Sequence, residues 1–204
     1  MIVLTVDQRG SRRVGDRVDA LLASLAEITP PTGGAIVRRF ERTVGDEVQA
    51  VLDDADIAVD IALRLLRTEG WSVGVGLGPV DEPLPASARA GSGAAFVHAR
   101  SAVERAKTRT RPVPIAVDGV SPERAAEAEA VLTLLGAVTI RRSAAGWAVI
   151  DALAEGGDAA TQEEVARRLG ISQQAVSQRL RAAMWAEERA ARPVAARLLR
   201  EGEA

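Results

Sequence analysis

The spacing of apolar positions changes several times along the chain, and each change marks an element. Residues 1–6 form a continuous β-branched and apolar run that stops at Asp7, which predicts a buried strand. Residues 7–13 are polar and read as a loop. Val18, Leu21, Leu22 and Leu25 then keep helical spacing over residues 16–28, until Thr29-Pro30-Pro31-Thr32-Gly33-Gly34 breaks the chain. Two apolar stretches, 35–42 and 47–52, flank Thr43-Val44-Gly45-Asp46 and predict a β-hairpin turning at Gly45. Ile57, Ile61 and Leu65 place a helix over 54–68. Residues 71–80 alternate as a strand does, with Gly74, Gly76 and Gly78 suited to a strand that something approaches closely. A helix over 94–107 and a short strand over 113–117 follow.

The order β-α-β-β-α-β-α-β is the ferredoxin-like split pattern with an addition at its end. The expected fold class is therefore α+β: a ferredoxin-like, cyclase- or palm-type antiparallel sheet domain over residues 1–120, with helices on one face. After Ser121-Pro122-Glu123, a helix start with proline in the first turn, the pattern turns helical. Helices are expected over 125–138 and 147–154 and from Asp158 onward, with Pro193 opening a last short helix and a small wing near 137–142. Residues 121–204 thus read as a second, all-helical domain.

Within that domain, residues 161–183 carry the most specific signal. Thr161 and Glu164 have the spacing of a capping box, and Ala166 is small where two helices must cross. Gly170 permits a tight turn, Ile171 fills the core and Ser172 caps a second helix. Ala175, Val176 and Leu180 face inward, leaving Gln173, Gln174, Ser177, Gln178 and Arg181 outward. Such side chains bond to base edges and phosphates, and DNA is the partner they imply. The segment resembles the helix-turn-helix of sigma-factor region four and of many bacterial regulators. The alternative is a helical hairpin that only packs or dimerises.

Charge qualifies that picture. The chain of 204 residues has a formal net charge of −2, so it is not built to coat nucleic acid nonspecifically. From Asp158 onward eight arginines face seven acidic residues, a balance so weakly basic that a homodimer is expected if DNA is bound well. The basic residues are arginines except for Lys107. There is no cysteine, which removes disulfides and thiolate metal sites from consideration. No run approaches the ~18 apolar residues of a membrane span and the N-terminus lacks a signal-peptide pattern, so a cytoplasmic address without membrane attachment is expected.

In the front domain, Asp7 ends the first strand and Asp46 sits at the hairpin tip. In a split sheet these neighbours converge on one edge, where two carboxylates suit a hard divalent cation that bridges phosphates. Asp7-Gln8-Arg9-Gly10-Ser11 is similar to the first metal-binding loop of class III nucleotide cyclases. Phe40-Glu41-Arg42-Thr43-Val44-Gly45-Asp46-Glu47 is similar to their hairpin and to the signature hairpin of diguanylate cyclases. Gly74 to Val80 looks like the strand that follows, and Ala99 to Lys107 like the late diguanylate cyclase helix that ends in a phosphate-contacting lysine. The whole chain, tail included, resembles the SatD family of bacterial proteins.

The resemblance implies that Asp7 and Asp46 ligate Mg²⁺ or Mn²⁺ with a nucleotide, helped by the backbone carbonyl of Gln8. It implies that Arg42 stands for the lysine that reads the base, that Gly10 and Gly45 let backbone approach a phosphate, and that Lys107 neutralises one. The hairpin has Val44 where the cyclases have a further glycine, and His98 stands where they place a transition-state asparagine. The expected function is therefore a DNA-binding transcriptional regulator of the SatD type that senses a nucleotide or metal. A cyclase-type enzyme and a protein–protein adaptor with degenerate domains are the alternatives.

Overall fold

The computed structural model describes residues 1–28, 36–157 and 160–203. The break expected at 29–34, with Ala35 and Asp158, lies outside them. The front of the chain runs β1 (Ile2–Gln8), α1 (Ser11–Val14), α2 (Val18–Ile28), β2 (Ile36–Arg42), β3 (Glu47–Leu52), α3 (Ala55–Arg67), β4 (Trp71–Leu77), α4 (Ala94–Ala106) and β5 (Ile115–Gly119). The helices that follow are α5 (Pro122–Arg141), α6 (Ala144–Glu155), α7 (Gln162–Leu169), α8 (Gln173–Ala182) and α9 (Trp185–Glu201).

The five strands lie in the order β2-β3-β1-β4-β5. The first four pair antiparallel, and β5 joins β4 in parallel, so the sheet is mixed rather than wholly antiparallel. The cause is α4, a crossover helix that returns the chain to run beside β4 in the same direction. β5 begins two residues later than expected: the Ile115 N–H turns back to the Val113 carbonyl at 2.9 Å, and the Pro114 carbonyl accepts from the Val73 N–H at 2.8 Å where the ladder opens.

Both faces of the sheet are covered, which corrects the expectation of helices on one face. Ile2, Leu4 and Val6 alternate toward a core made with α2, α3, α5 and α9, in which Leu132, Leu135, Ala196 and Leu199 are buried. The sheet core therefore continues past residue 120. Val3 and Val51 point the other way, with Ala95, Phe96 and Ala99 of α4. Here the glycines of β4 explain themselves. A Cβ on Gly76 would lie 2.1 Å from the Ala95 carbonyl oxygen, and one on Gly74 would lie 2.3 Å from the Val103 nitrogen. The close neighbour they admit is the backbone of α4.

Three further expectations change. Residues 137–142 belong to the end of α5, apart from Arg142, which caps it, and no strand follows Gly119 among the described residues, so no wing forms there. Apolar Leu132, Leu135 and Gly136 of α5 keep helical spacing against the core, which carries the helix through. Pro193 lies inside α9 rather than opening a helix, because Ala195, Ala196 and Leu199 are buried against the body and tertiary packing outweighs one missing hydrogen bond. The loop after β1 contains the one-turn α1. Gln8 shapes it from beneath, accepting from the Arg17 N–H at 2.8 Å and donating to the Gly15 carbonyl at 2.6 Å.

One carboxylate ties α4, β5 and α5 together. Glu129 accepts from the Val117 N–H at 2.8 Å, from Arg105 at 2.7 Å and from Arg111 at 2.5 Å. Burial pushes its carboxyl up, but these donors outweigh burial and hold it below its ordinary value of 4.5. A depressed carboxylate stabilises the fold above its unfolded pKa and loses that contribution as pH falls through the folded one. Glu129→Gln is expected to cost about 1.5–3 kcal/mol at pH 7, the range for hydrogen bonds to a charged group. Urea unfolding at pH 7 and near pH 3.5 checks this: the gap between variant and wild type narrows at the lower pH. A gap that is the same at both would refute it.

Candidate functional site

The tail builds a three-helix unit from α6, α7 and α8. Val149, Ala152, Val165, Ala166 and Val176 form its own small core, with Leu153, Leu169, Ile171 and Leu180 packed on it. The local chemistry is as the sequence suggests. Thr161 accepts from the Glu164 N–H while Glu164 accepts from the Thr161 N–H, a closed capping box. Gly170 adopts φ 64°, and the Ile171 N–H returns to the Ala166 carbonyl at 3.0 Å, ending α7. Ser172 accepts from the Ala175 N–H at 3.2 Å and starts α8.

On α8, Gln173, Gln174, Gln178 and Arg181 are exposed, while Val176 is fully buried. Ser177 is half-buried and accepts from Arg181 Nη1 at 3.0 Å. The five side chains expected to read DNA thus occupy the outward side of the second helix of a helix-turn-helix, four of them exposed.

Arg142 and Ala183 bound this unit. The Arg142 guanidinium donates to the Ala183 carbonyl through Nε at 3.1 Å and Nη2 at 2.9 Å, and pairs with Glu188 of α9. Trp147 is stacked by Arg67 at 3.8 Å and by Arg142 at 4.3 Å, and Arg67 also pairs with Asp151 at 2.6 Å. The unit is therefore fastened to α3 and α9 of the body by two arginines.

At the front, Asp7 and Asp46 do come to one end of the sheet, where the Gln8 N–H donates to the Asp46 carbonyl at 3.2 Å. Strand register adds a carboxylate that the sequence reading passed over. Asp7 stands directly opposite Glu47, on the face shared by Thr5 and Gln49 and by Val3 and Val51. Counting alternate residues back along the hairpin from Val51 gives Glu47 this face, a signal available in the sequence.

Burial raises the Asp7 carboxyl, Lys107 lowers it, and Asp46 and Glu47 raise it again, leaving it above its ordinary value. Lys107, at the end of α4, places Nζ 2.9 Å from Asp7 and 2.8 Å from Glu104. Burial lowers the Lys107 ammonium, but Glu104 and Asp7 outweigh it and hold it above the usual lysine range. Asp7 moves upward chiefly through burial, and Lys107 through the two carboxylates that it pairs with. Glu47 also accepts from Thr43 at 2.7 Å and lies 3.5 Å from Arg100.

The other expected ligand contacts are differently employed. Arg42 pairs with Asp16 at 2.7 Å and Asp19 at 3.1 Å, and donates to the Gly45 carbonyl at 3.1 Å. It fastens the hairpin to the start of α2, and Asp16 is held below its ordinary value chiefly by that bond. Gly10 (φ 71°) and Gly45 (φ 64°) take the left-handed turns that favour glycine. Gln8 uses its side chain to hold the loop. His98 lies 3.4 Å from Asp118 across α4 and β5, away from the acidic cluster. Among the described residues no group of three or more His, Cys, Asp or Glu side chains is arranged to hold a metal ion.

Beside the acidic cluster opens a cleft of ≈ 710 Å³ between the β1–α2 loop and the end of α4. Arg9, Arg12, Arg13, Arg17, Lys107 and Arg109 line it, with Asp7 and Glu69 as the only carboxylates there among the described residues. Of these cations the sequence assigns only Lys107 to a site. Arg109 and Arg17 are far apart in sequence, and only the fold joins them.

A helix-turn-helix attached to a mixed α/β body is the class of protein that this architecture defines. The model of the MarR family matches residues 143–183, the segment that Arg142 and Ala183 enclose. The match supports a DNA-binding helix-turn-helix in that segment and does not extend to the sheet. No curated protein and no solved structure matches the chain. Among the described residues no helix is long and apolar enough to cross a membrane.

Proposed function

We propose that the chain is a DNA-binding transcriptional regulator, of the SatD type in its overall plan, which reads its site with α8 and senses an anionic nucleotide with its front domain. The observation that carries the reading is the outward face of α8: Gln173, Gln174, Gln178 and Arg181 exposed on a helix that is capped, buried on its other side and matched by a regulator family. Glutamine pairs with adenine edges and arginine with guanine in the major groove. The modest positive charge of the tail favours a homodimer, in which two α8 helices spaced by one DNA turn share the site.

Selection of a DNA site by the full chain, followed by titration, tests this. Gln174→Ala and Arg181→Ala are each expected to weaken specific binding by about 1–3 kcal/mol if they touch bases. The footprint is expected to show two half-sites. If both variants match the wild type on the selected site, α8 is not the reader.

For the front domain, catalysis is the less favoured reading. Lys107 already neutralises Asp7, and Arg42 is committed to Asp16 and Asp19. A divalent ion bound through Asp7 and Asp46 would have to displace the Lys107 ammonium. Turnover of labelled GTP or ATP to a cyclic product would favour the enzyme reading instead.

A further inference from the structure

We infer that the cleft between the β1–α2 loop and the end of α4 is an oligophosphate site: it binds small molecules carrying two or more contiguous phosphates, without a divalent ion and with little regard to the base. This deepens the sensing half of the proposed function and rests on it only for its regulatory meaning.

Most arginines of the body are committed: Arg38 donates to the Leu84 carbonyl, Arg42 pairs with Asp16, Arg105 and Arg111 with Glu129, and Arg67 with Asp151. Around the cleft the pattern reverses. The guanidinium groups of Arg9, Arg12, Arg13, Arg17 and Arg109 have no ion-pair or hydrogen-bond partner among the described residues. Five like charges gathered on one concavity, in a chain whose formal net charge is −2, repel one another and leave their donors to solvent. A polyanion removes both costs, since guanidinium groups bind phosphate oxygens bidentately with short, charge-assisted bonds.

The cleft is also held in shape. Gln8, buried beneath the loop, bonds both to Gly15 and to Arg17, so the segment bearing Arg9, Arg12 and Arg13 is pinned at its two ends. Gly70, at φ 91°, leaves room for Arg17: a Cβ there would lie 3.0 Å from its Nη1. The ≈ 710 Å³ space lies within the ~300–1,000 Å³ range of small-molecule sites.

Its lining explains the indifference to the base. Among the described residues Val14 is the only large apolar side chain there, so the walls offer little for a purine to stack on. Arg42, the residue that would have read a base, is not part of the lining. A metal is not needed either, because the arginines supply the positive charge that Mg²⁺ brings to phosphates elsewhere, and Lys107 stands on Asp7.

Calorimetry of the full chain with sodium tripolyphosphate, in EDTA, is the test. Saturable one-to-one binding is expected, with ATP and GTP within about threefold of tripolyphosphate and orthophosphate at least tenfold weaker. Arg12→Ala with Arg13→Ala, and separately Arg17→Ala with Arg109→Ala, should each weaken binding at least tenfold. These side chains are exposed and unpaired, so thermal unfolding of the variants should match the wild type. Arg89→Ala, an exposed arginine outside the cleft, should change nothing. The inference is overturned if tripolyphosphate does not saturate, if binding appears only with Mg²⁺ and vanishes in Asp7→Ala, or if the arginine variants lose only affinity for nonspecific duplex DNA. Failure of α8 to read DNA would sink the regulator reading while leaving this binding result standing.

Discussion

Glu188→Ala is expected to destabilise the protein by about 3–5 kcal/mol, the cost of leaving an uncompensated charge in an interior. Both side chains of the Arg142–Glu188 pair are fully buried. Arg142 spends Nε and Nη2 on the Ala183 carbonyl and Glu188, and its Nη1 has no partner among the described residues. Trp147 and Trp185 border the same guanidinium, at 4.3 Å and 5.9 Å from its carbon to the ring centres. Glu188 in turn accepts from Arg192 at 2.6 Å. Without Glu188 the Arg142 charge, shut off from solvent, has no neutralising partner. Replacing both residues together, Arg142→Met with Glu188→Leu, is expected to cost less than Glu188→Ala alone, because an apolar pair leaves no buried charge. Chemical denaturation of the three proteins decides it. A single variant within 1 kcal/mol of wild type would mean that the pair is not a structural clamp.

Gly76→Ala is expected to cost about 3 kcal/mol or more, at the upper end of the overpacking range. The added carbon would fall 2.1 Å from the Ala95 oxygen and 2.3 Å from the Ala99 nitrogen. These are helix backbone atoms, which cannot turn aside as the end of a side chain can, so α4 itself must move. Because Lys107 ends that helix, its 2.9 Å contact with Asp7 moves too. Gly45→Ala is the informative contrast. It has open space around it, and its φ of 64° sets the only penalty, about 1 kcal/mol. Denaturant midpoints that rank Gly45→Ala as the more damaging change would contradict the close contact between α4 and β4.

The sequence makes the strands, the hairpin and the helix-turn-helix legible because each rests on local chemistry. The capping box at Thr161, the left-handed Gly170 and the alternation through β1 are visible within a few residues. What stays hidden depends on distant partners. The close approach that Gly74 and Gly76 permit could be recognised as a need, but not assigned to a helix twenty residues on. A wing expected over 137–142 gave way to the core-facing spacing of α5. Pro193 looked like a boundary because the packing of Ala195 and Leu199 on the body is a tertiary fact. At the front, Asp7 and Asp46 were found to share one end of the sheet, as expected. The ammonium seated on Asp7, and the five arginines beside it that have no partner among the described residues, come from two separate stretches of chain, residues 9–17 and 107–109.

The bond between Arg142 and the Ala183 carbonyl brings the entrance and exit of the DNA-reading unit to one point. A segment whose two ends touch can be added to a host chain, or taken from it, without pulling the host apart. Helices α5 and α9 already pack on the sheet as though joined directly, and α6 to α8 stand between them as an insert with a core of its own. The architecture is therefore open to exchange: another three-helix reader with the same end-to-end spacing could be spliced between residues 142 and 184, giving the same α/β body a new set of target sites.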